Sequence, residues 1–367
     1  MEKKHEIWTQ HAAIKFDRSF HYVGVSGGQT SAYLLYLLMQ MPELENRLIP
    51  SFQNTGWEHE ASIEFIRDIE SYWKAPIRWL EYDFPEGFAK ACLEHAPTYK
   101  NLEKYGLEGM YKTAVKDLQW RDEWKDGKNS TLIIGGLFGD ETTEVRSEDQ
   151  RDYSRCESEL YTLFGKSRGS LGRRFKQVDF DTADRKGLPM LKAFLYVNAF
   201  RLCKAKKWVV PNANARWCTG RAKIQVNESY IRYLGIPRDD YYTHLGLRAD
   251  EPKRVYEAIG KHNILHLACI GVDNDEVKKF WDQQDFSLSI REAVEYGNCL
   301  NCHLKKLWKR VKACQAYPKP FEQQAVMETA AGDQFDREHS AKAILRLADS
   351  RAELPVDNRP EISCVCS

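Results

Sequence analysis

Residues Tyr22-Val-Gly-Val-Ser-Gly-Gly-Gln-Thr-Ser31 read as a buried strand, Tyr22 to Val25, that breaks at a glycine turn and passes into a helix. Ala32, Leu34, Leu35, Leu37 and Leu38 recur at helical spacing and give that helix an apolar face. Glycine lets backbone N–H groups approach an oxyanion closely, and a helix N-terminus adds partial positive charge. Ser26, Gly27, Gly28, Gln29, Thr30 and Ser31 therefore form a candidate anion cradle, with a nucleotide phosphate as its natural ligand. An ordinary strand-to-helix turn that binds nothing would use similar letters.

Working outward, Arg47 to Gln53 reads as a second strand, Asn54-Thr-Gly-Trp-Glu58 as a polar turn at its end, Glu60 to Trp73 as a helix, and Ile77 to Tyr82 as a third strand. This alternation predicts a Rossmann-like α/β fold with a doubly wound parallel sheet and ligands at the C-terminal ends of its strands. Ile14 and Phe16 suggest an edge strand before it. From about 85 to 190 the pattern turns irregular and charged, as in a solvated insertion. Within it Thr131–Ile134 suggests a strand and Ser167–Arg174 a basic loop. Leu191 to Lys204 and Ile224 to Leu234 read as helices, Tyr241 to Gly246 as a strand, Asp275 to Gln283 and Leu304 to Lys312 as helices. After Pro318 the chain is polar, with one helical stretch at Ala341–Ala348. These boundaries predict a nucleotide-binding domain over 1–310 and a C-terminal helical or flexible tail over 311–367.

The net charge of +1 gives no global polycation for nucleic acid, although a local basic face remains open. No apolar run reaches membrane-spanning length, and the start Met1-Glu-Lys-Lys-His is no secretory signal, so a cytoplasmic protein is expected. The ten cysteines then point to core thiols, metal or reactivity rather than a disulfide framework.

Five blocks, in order, carry a resemblance: Ser26-Gly-Gly-Gln-Thr-Ser31, Asn54-Thr-Gly-Trp-Glu58, Arg216-Trp-Cys-Thr219 with Lys223, Gly246-Leu-Arg-Ala-Asp-Glu-Pro-Lys-Arg254, and Gly297-Asn-Cys-Leu-Asn-Cys302. With them the chain resembles the phosphoadenosine phosphosulfate (PAPS) reductase family of the adenine nucleotide alpha-hydrolase, or N-type ATP pyrophosphatase, superfamily. The resemblance frames residues 20 to about 310 and looks most like the phage and bacterial reductase-like branch. It implies that the cradle holds phosphate or sulfate of ATP or PAPS. It also implies that Asn54, Thr55 and Gly56 lie on the adenine or ribose side. ATP-splitting relatives often carry Lys-Asp where this chain has Gln29-Thr30. Asn54 stands where the family commonly has aspartate, a position able to hold Mg2+, and a neutral amide is a poorer ligand for that hard cation. Arg248, Glu251 and Arg254 follow the family pattern. Two arginines beyond a strand end can grip an anion in a bidentate way, so Arg248, Arg254 and Lys223 are the catalytic candidates, with Arg221 and Glu251 on the cofactor side of the site. A surface salt-bridge cluster would explain the same letters. Glu58 and Glu60 read as first-turn carboxylates favoured by the helix dipole.

Cys299 and Cys302 form a C-x-x-C pair that lets both thiolates meet one metal, and Lys305, Lys306, Lys309 and Arg310 nearby are expected to lower their pKa values. The resemblance brings Cys218 to them and implies a [4Fe–4S] cluster, with Cys314 or Cys269 as a fourth ligand or with one iron left open. Zinc completed by His303 or Cys314, a metal-free redox pair, and inert buried thiols remain alternatives. Cys92, Cys156 and Cys203 are left as core or surface thiols. The terminal Ile362-Ser-Cys-Val-Cys-Ser367 lacks the Glu-Cys-Gly-hydrophobic-His context of the family's nucleophile, so neither Cys364 nor Cys366 is assigned to catalysis. Three functions follow as expectations. The first is an ATP-pyrophosphatase-type sulfurtransferase, with nucleic acid as a plausible acceptor and a cysteine desulfurase as sulfur donor. The second is a sulfonucleotide reductase. The third is an accessory or regulatory protein that binds the nucleotide without turnover.

Overall fold

The computed structural model describes residues 16–83, 174–202, 209–212, 215–260, 262–288, 298–331 and 333–350. The expected Thr131–Ile134 strand, the basic loop up to residue 173, Ile14, Cys92, Cys156, Cys203 and the tail with Cys364 and Cys366 lie outside the described residues.

The first half of the fold is strand β1 (Phe20–Gly24), helix α1 (Gln29–Met39), β2 (Leu48–Asn54), α2 (Glu60–Trp73) and β3 (Arg78–Tyr82). These three strands pair in parallel, as expected of a βαβαβ run. Pro50 is tolerated inside β2 because the ladder with β3 starts only at Ser51, so no bond to that neighbour is lost. α2 opens at His59, whose Nδ1 accepts from Ala61 N at 3.0 Å, and stops at Lys74 in the left-handed region.

The second half adds β4 (Phe175–Val178), α3 (Leu188–Leu202), a helical run that ends in α4 (Gln225–Tyr233), β5 (Tyr241–His244), α5 (Pro252–Ala258), β6 (Asn263–Ile264), α6 (His266–Cys269) and α7 (Asn274–Trp281). The six strands run in the order β4-β3-β2-β1-β5-β6. β5 pairs parallel to β1 and β6 parallel to β5, whereas β4 is antiparallel to β3. The sheet is thus mixed, not purely parallel. A stretch assigned by sequence to the charged insertion supplies its edge, because Phe175 alone of that strand inserts fully into the core beside Tyr230.

Helices cover both faces. α1, α2 and α7 pack Leu34, Leu35, Ile66 and Trp281 against Val23 and Phe52. α3 and α4 pack Phe194, Leu195, Val226 and Tyr230 against Tyr22 and Leu80. The chain moves outward from β1 through β2 to β3, then returns to the other side of β1 with β5. The topological switch point, where open α/β sheets bind ligands, therefore lies between β1 and β5.

Beyond the sheet come α8 (Leu307–Ala316), α9 (Pro318–Ala331) and α10 (Ala341–Ser350). α9 departs from the single helical stretch expected after Pro318. Its polar sequence still buries Phe321 and Ala325 against Leu307, Val311 and Ile344. α8 also runs through position 310, where the sequence suggested a boundary. Gln323 of α9 joins this bundle to the sheet, accepting from Trp57 Nε1 and donating to the Lys186 carbonyl. Among the described residues, no helix is long and apolar enough to cross a membrane.

Candidate functional site

The cradle is built by the end of β1 and the start of α1. Gly27 turns with φ +76°, and a Cβ there would sit 2.9 Å from Ser62 Cβ, so only glycine lets α1 and α2 approach so closely. Ser31 Oγ closes the turn. It accepts from Ser26 N at 3.1 Å, lies 3.1 Å from Ser26 Oγ, and donates to the Gly28 carbonyl at 3.0 Å. Gln29 is tied outward through its side chain to Ser287 Oγ at 3.2 Å.

The loop after β5 closes over this turn. Gly246 packs so tightly that an added Cβ would stand 3.2 Å from Ser31 Cα. Two residues on, Arg248 Nη1 donates to Thr30 Oγ1 at 3.4 Å. Its Nε and Nη2 donate to Asp250 at 2.8 and 3.1 Å, and Glu251 lies 3.9 Å from Nη1. Arg254 pairs with the other oxygen of Glu251. An acid–arginine cluster therefore exists, and one of its guanidiniums touches the turn between β1 and α1. The flanking carboxylates hold the Arg248 pKa up, against the opposing pull of burial.

A pocket of about 530 Å³ opens beside it at the switch point. Tyr22, Tyr241 and Thr243 form its floor, with Arg216, Asn227 and Arg254 among its walls. One wall is the π-helical segment Gly220–Ile224, which follows the helical turn Trp217–Thr219 and leads into α4. Such π segments recur at functional sites because they shift side chains out of regular register.

The Asn54–Glu58 turn is internally committed. Asn54 Nδ2 donates to Glu81 at 2.6 Å and to the Asp184 carbonyl at 2.8 Å, while its Oδ1 accepts from Gly56 N at 3.0 Å. Glu81 in turn meets Lys176 at 2.8 Å. Glu58 is buried, accepts from Thr55 N at 2.8 Å and from Thr55 Oγ1 at 2.8 and 2.9 Å, and faces Lys223 at 3.6 Å. It is no exposed first-turn carboxylate, unlike Glu60 at the start of α2. The Thr55-x-x-Glu58 spacing was the available signal.

Lys223 points to the thiols and Glu58, not to the cradle, and Arg221 lies near the Tyr82 phenol. Burial opposes the charge of Lys223, but Glu58, Cys299, Cys218 and Cys302 around it outweigh that and raise its pKa. Cys218 and Cys299 are pushed up, first by burial and then by Cys302. This corrects the expectation of lowered thiol pKa values: desolvation outweighs the lysines. Lys305 is itself lowered to about 8 by burial and donates to the Cys299 carbonyl. Cys314 does not join this group. α8 turns it into the helical bundle, where burial and the nearby Asp349 push its pKa up to about 12. His303 is lowered to about 4 by burial with Arg310 and Arg216 close by, a poor setting for a cation ligand. Among the described residues, no three His, Cys, Asp or Glu side chains are close enough to hold one metal ion.

Sequence reasoning missed Asn298. Its Nδ2 donates to the Ser26 carbonyl at 3.0 Å and to Ser26 Oγ at 3.3 Å. The backbone around it pairs antiparallel with the turn after β2: His59 N donates to the Asn298 carbonyl at 3.0 Å, Glu58 bridges Cys299, and Leu300 N donates to the Trp57 carbonyl at 2.9 Å. The cysteine loop is thereby clamped to both strand ends.

The chain is 24% identical over 294 residues to the uncharacterized nin region protein ORF290 of Escherichia phage lambda, an alignment that covers 80% of this chain and 69% of that protein. No family model matches the chain, and no solved structure matches it.

Proposed function

We propose that the chain is an adenine-nucleotide-binding enzyme of sulfur metabolism, in keeping with its resemblance to the PAPS reductase family. The observation that carries the proposal is the contact of Arg248 with Thr30 at the switch point. It sets a guanidinium beside the N-terminus of α1, where an oxyanion gains from donors, charge and dipole together. ATP and PAPS both present such an oxyanion, and the pocket that Arg254 lines at the switch point has room for a nucleoside. Ser26 to Ser31, Arg248 and Arg254 bind the nucleotide, while Glu58 and Lys223 hold the thiols of Cys218, Cys299 and Cys302. The spent side chain of Asn54 argues against Mg2+ at that turn.

The half-buried Cys218 and Cys299 and the buried Cys302, beside Lys223 and Lys305, would suit a cluster with three cysteine ligands better than a zinc site, which calls for four ligands around one point. A [4Fe–4S] cluster on Cys218, Cys299 and Cys302 would supply an iron able to hold the sulfur to be transferred. As a sulfurtransferase, the enzyme would direct an acceptor oxygen to the α-phosphorus of ATP, release pyrophosphate, and let sulfur displace AMP. Positive charge at the cradle would stabilise the leaving group. As a reductase, a thiolate would attack the sulfate sulfur of PAPS and release the nucleotide. A second thiolate would then release sulfite and leave a disulfide. The sequence pattern of Cys218, Cys299 and Cys302, with a tail that lacks the family's nucleophile context, favours the first.

Incubation of the protein with labelled ATP or PAPS tests the reading. Pyrophosphate release supports the transferase, sulfite release the reductase, and tight binding without turnover an accessory role. No binding of either nucleotide would overturn the proposal. Anaerobic purification tests the cluster separately: iron-free, colourless protein would sink it.

A further inference from the structure

Asn298 connects two parts of the site that sequence reading kept apart. Its amide Nδ2 lies on the cradle, bonded to Ser26 O and Oγ, and a Cβ on Gly28 would come within 3.0 Å of it. Its own carbonyl and the next two residues are laced to Trp57, Glu58 and His59. One residue further on is Cys299, whose thiol is surrounded by Cys302, Lys223 and Glu58. No other residue among those described here both touches the Ser26–Gly28 turn through its side chain and adjoins the C-x-x-C pair in the chain.

We infer that Asn298 is a positioning residue that couples occupancy of the cradle to the exposure of the Cys299 and Cys302 thiols. An anion in the cradle would compete for the donors that now bind within it. The cradle's donors must turn to an incoming oxyanion, and Ser26 Oγ is one of them. Turning its proton outward gives up its bond to Ser31 Oγ and leaves it able to accept from Asn298 Nδ2, while Nδ2, beside Gly28, can turn one of its own protons from Ser26 to the same anion. The backbone of Asn298 pairs with His59 and runs directly into Cys299, so its side-chain amide is a second anchor on the same short segment, and a firmer hold on the amide restrains Cys299. An occupied cradle holds the cysteine loop more firmly than an empty one.

The coupling rests on the reading of the cradle as an anion site, and its test separates the two. The full chain as isolated, Asn298→Ala and Asn298→Leu are treated with iodoacetamide, and alkylation of Cys299 is followed by mass spectrometry. Loss of colour to a chelator is the equivalent readout for protein isolated with iron. Each protein is measured alone and with ATP, PAPS or inorganic pyrophosphate, and binding is measured separately by calorimetry. Melting curves establish that each variant is folded, and the leucine variant keeps the bulk of the side chain without its donor. Loss of these hydrogen bonds should speed Cys299 alkylation about tenfold without ligand. Ligand should slow alkylation in the natural chain and change it less than about twofold in variants that still bind, by the same conversion. Equal ligand-free rates, or full protection by ligand in both variants, would overturn the coupling. If the natural chain binds none of the three anions, the nucleotide reading falls while the ligand-free comparison still decides the role of Asn298.

Discussion

Arg248 Nη1 donates to Thr30 Oγ1 at 3.4 Å, joining residues 218 apart in the chain. The contact leaves the guanidinium beside the helix N-terminus, although Asp250 and Glu251 share its charge. Arg248→Ala should therefore weaken ATP or PAPS binding by about 10- to 100-fold, the worth of a charged hydrogen bond. Arg248→Lys, which keeps the charge but loses the fork, should recover only part of it. Calorimetry reads both, and a melting temperature within a few degrees of the natural chain separates binding from folding.

Glu58 and Lys223 form a pair whose side chains are 1% and 13% exposed. Glu58→Gln keeps an acceptor for Thr55 but strands a buried ammonium, which costs about 3 kcal/mol or more. Adding Lys223→Met should return a substantial part of that stability. Urea unfolding of the two single variants and the double variant measures the coupling, and additive losses would show that the pair does not interact.

Gly56 and Gly235 both have positive φ, +76° and +78°, but their surroundings differ. A Cβ on Gly56 would meet Asp184 Oδ1 at 2.4 Å and Gly187 N at 2.5 Å, while one on Gly235 meets nothing within 4 Å. Gly235→Ala should cost only the strain of the left-handed backbone, about 1 kcal/mol. Gly56→Ala should cost several times more and pull the Asn54 turn from Asp184. Denaturant midpoints compare them directly.

Glu328 in α9 is pushed up to about 7 from its ordinary 4.5, chiefly by burial, although it accepts from Phe335 N at 3.1 Å and Ala341 N at 2.8 Å. Between those two pH values the folded chain holds a proton that the unfolded chain has released. The contribution of this group to stability therefore falls as pH rises through that window, by about 3 kcal/mol in all. Glu328→Gln should flatten this slope, and unfolding at several pH values between 4.5 and 7 would reveal it.

The β1–α1–β2–α2–β3 run was legible because each element carries a clear apolar period, and Glu60–Trp73 is found where its spacing placed it. β4 was hidden because a four-residue edge strand with one fully inserted side chain has almost no period to read. α9 was hidden by two prolines and many polar residues, since its helix is held by contacts with α8 and α10 rather than by its own pattern. The cradle and Arg248 were readable as letters. Their contact was not, because nothing local records a bond across 218 positions. Asn298 was passed over for the same reason, and Glu58 was read as a first-turn carboxylate because its burial and its ion pair with Lys223 leave no local mark.

The span between Asn298 and Ser26 is 272 residues. During synthesis the cradle leaves the ribosome early, its arginine much later, and the asparagine that steadies it later still. Until then the turn after β1 has helix and glycines but neither its guanidinium nor its clamp. Long-range closures of this kind are slow to form. A chain cut short before residue 298 would thus lack the side chain that ties the turn after β1 to the cysteine loop.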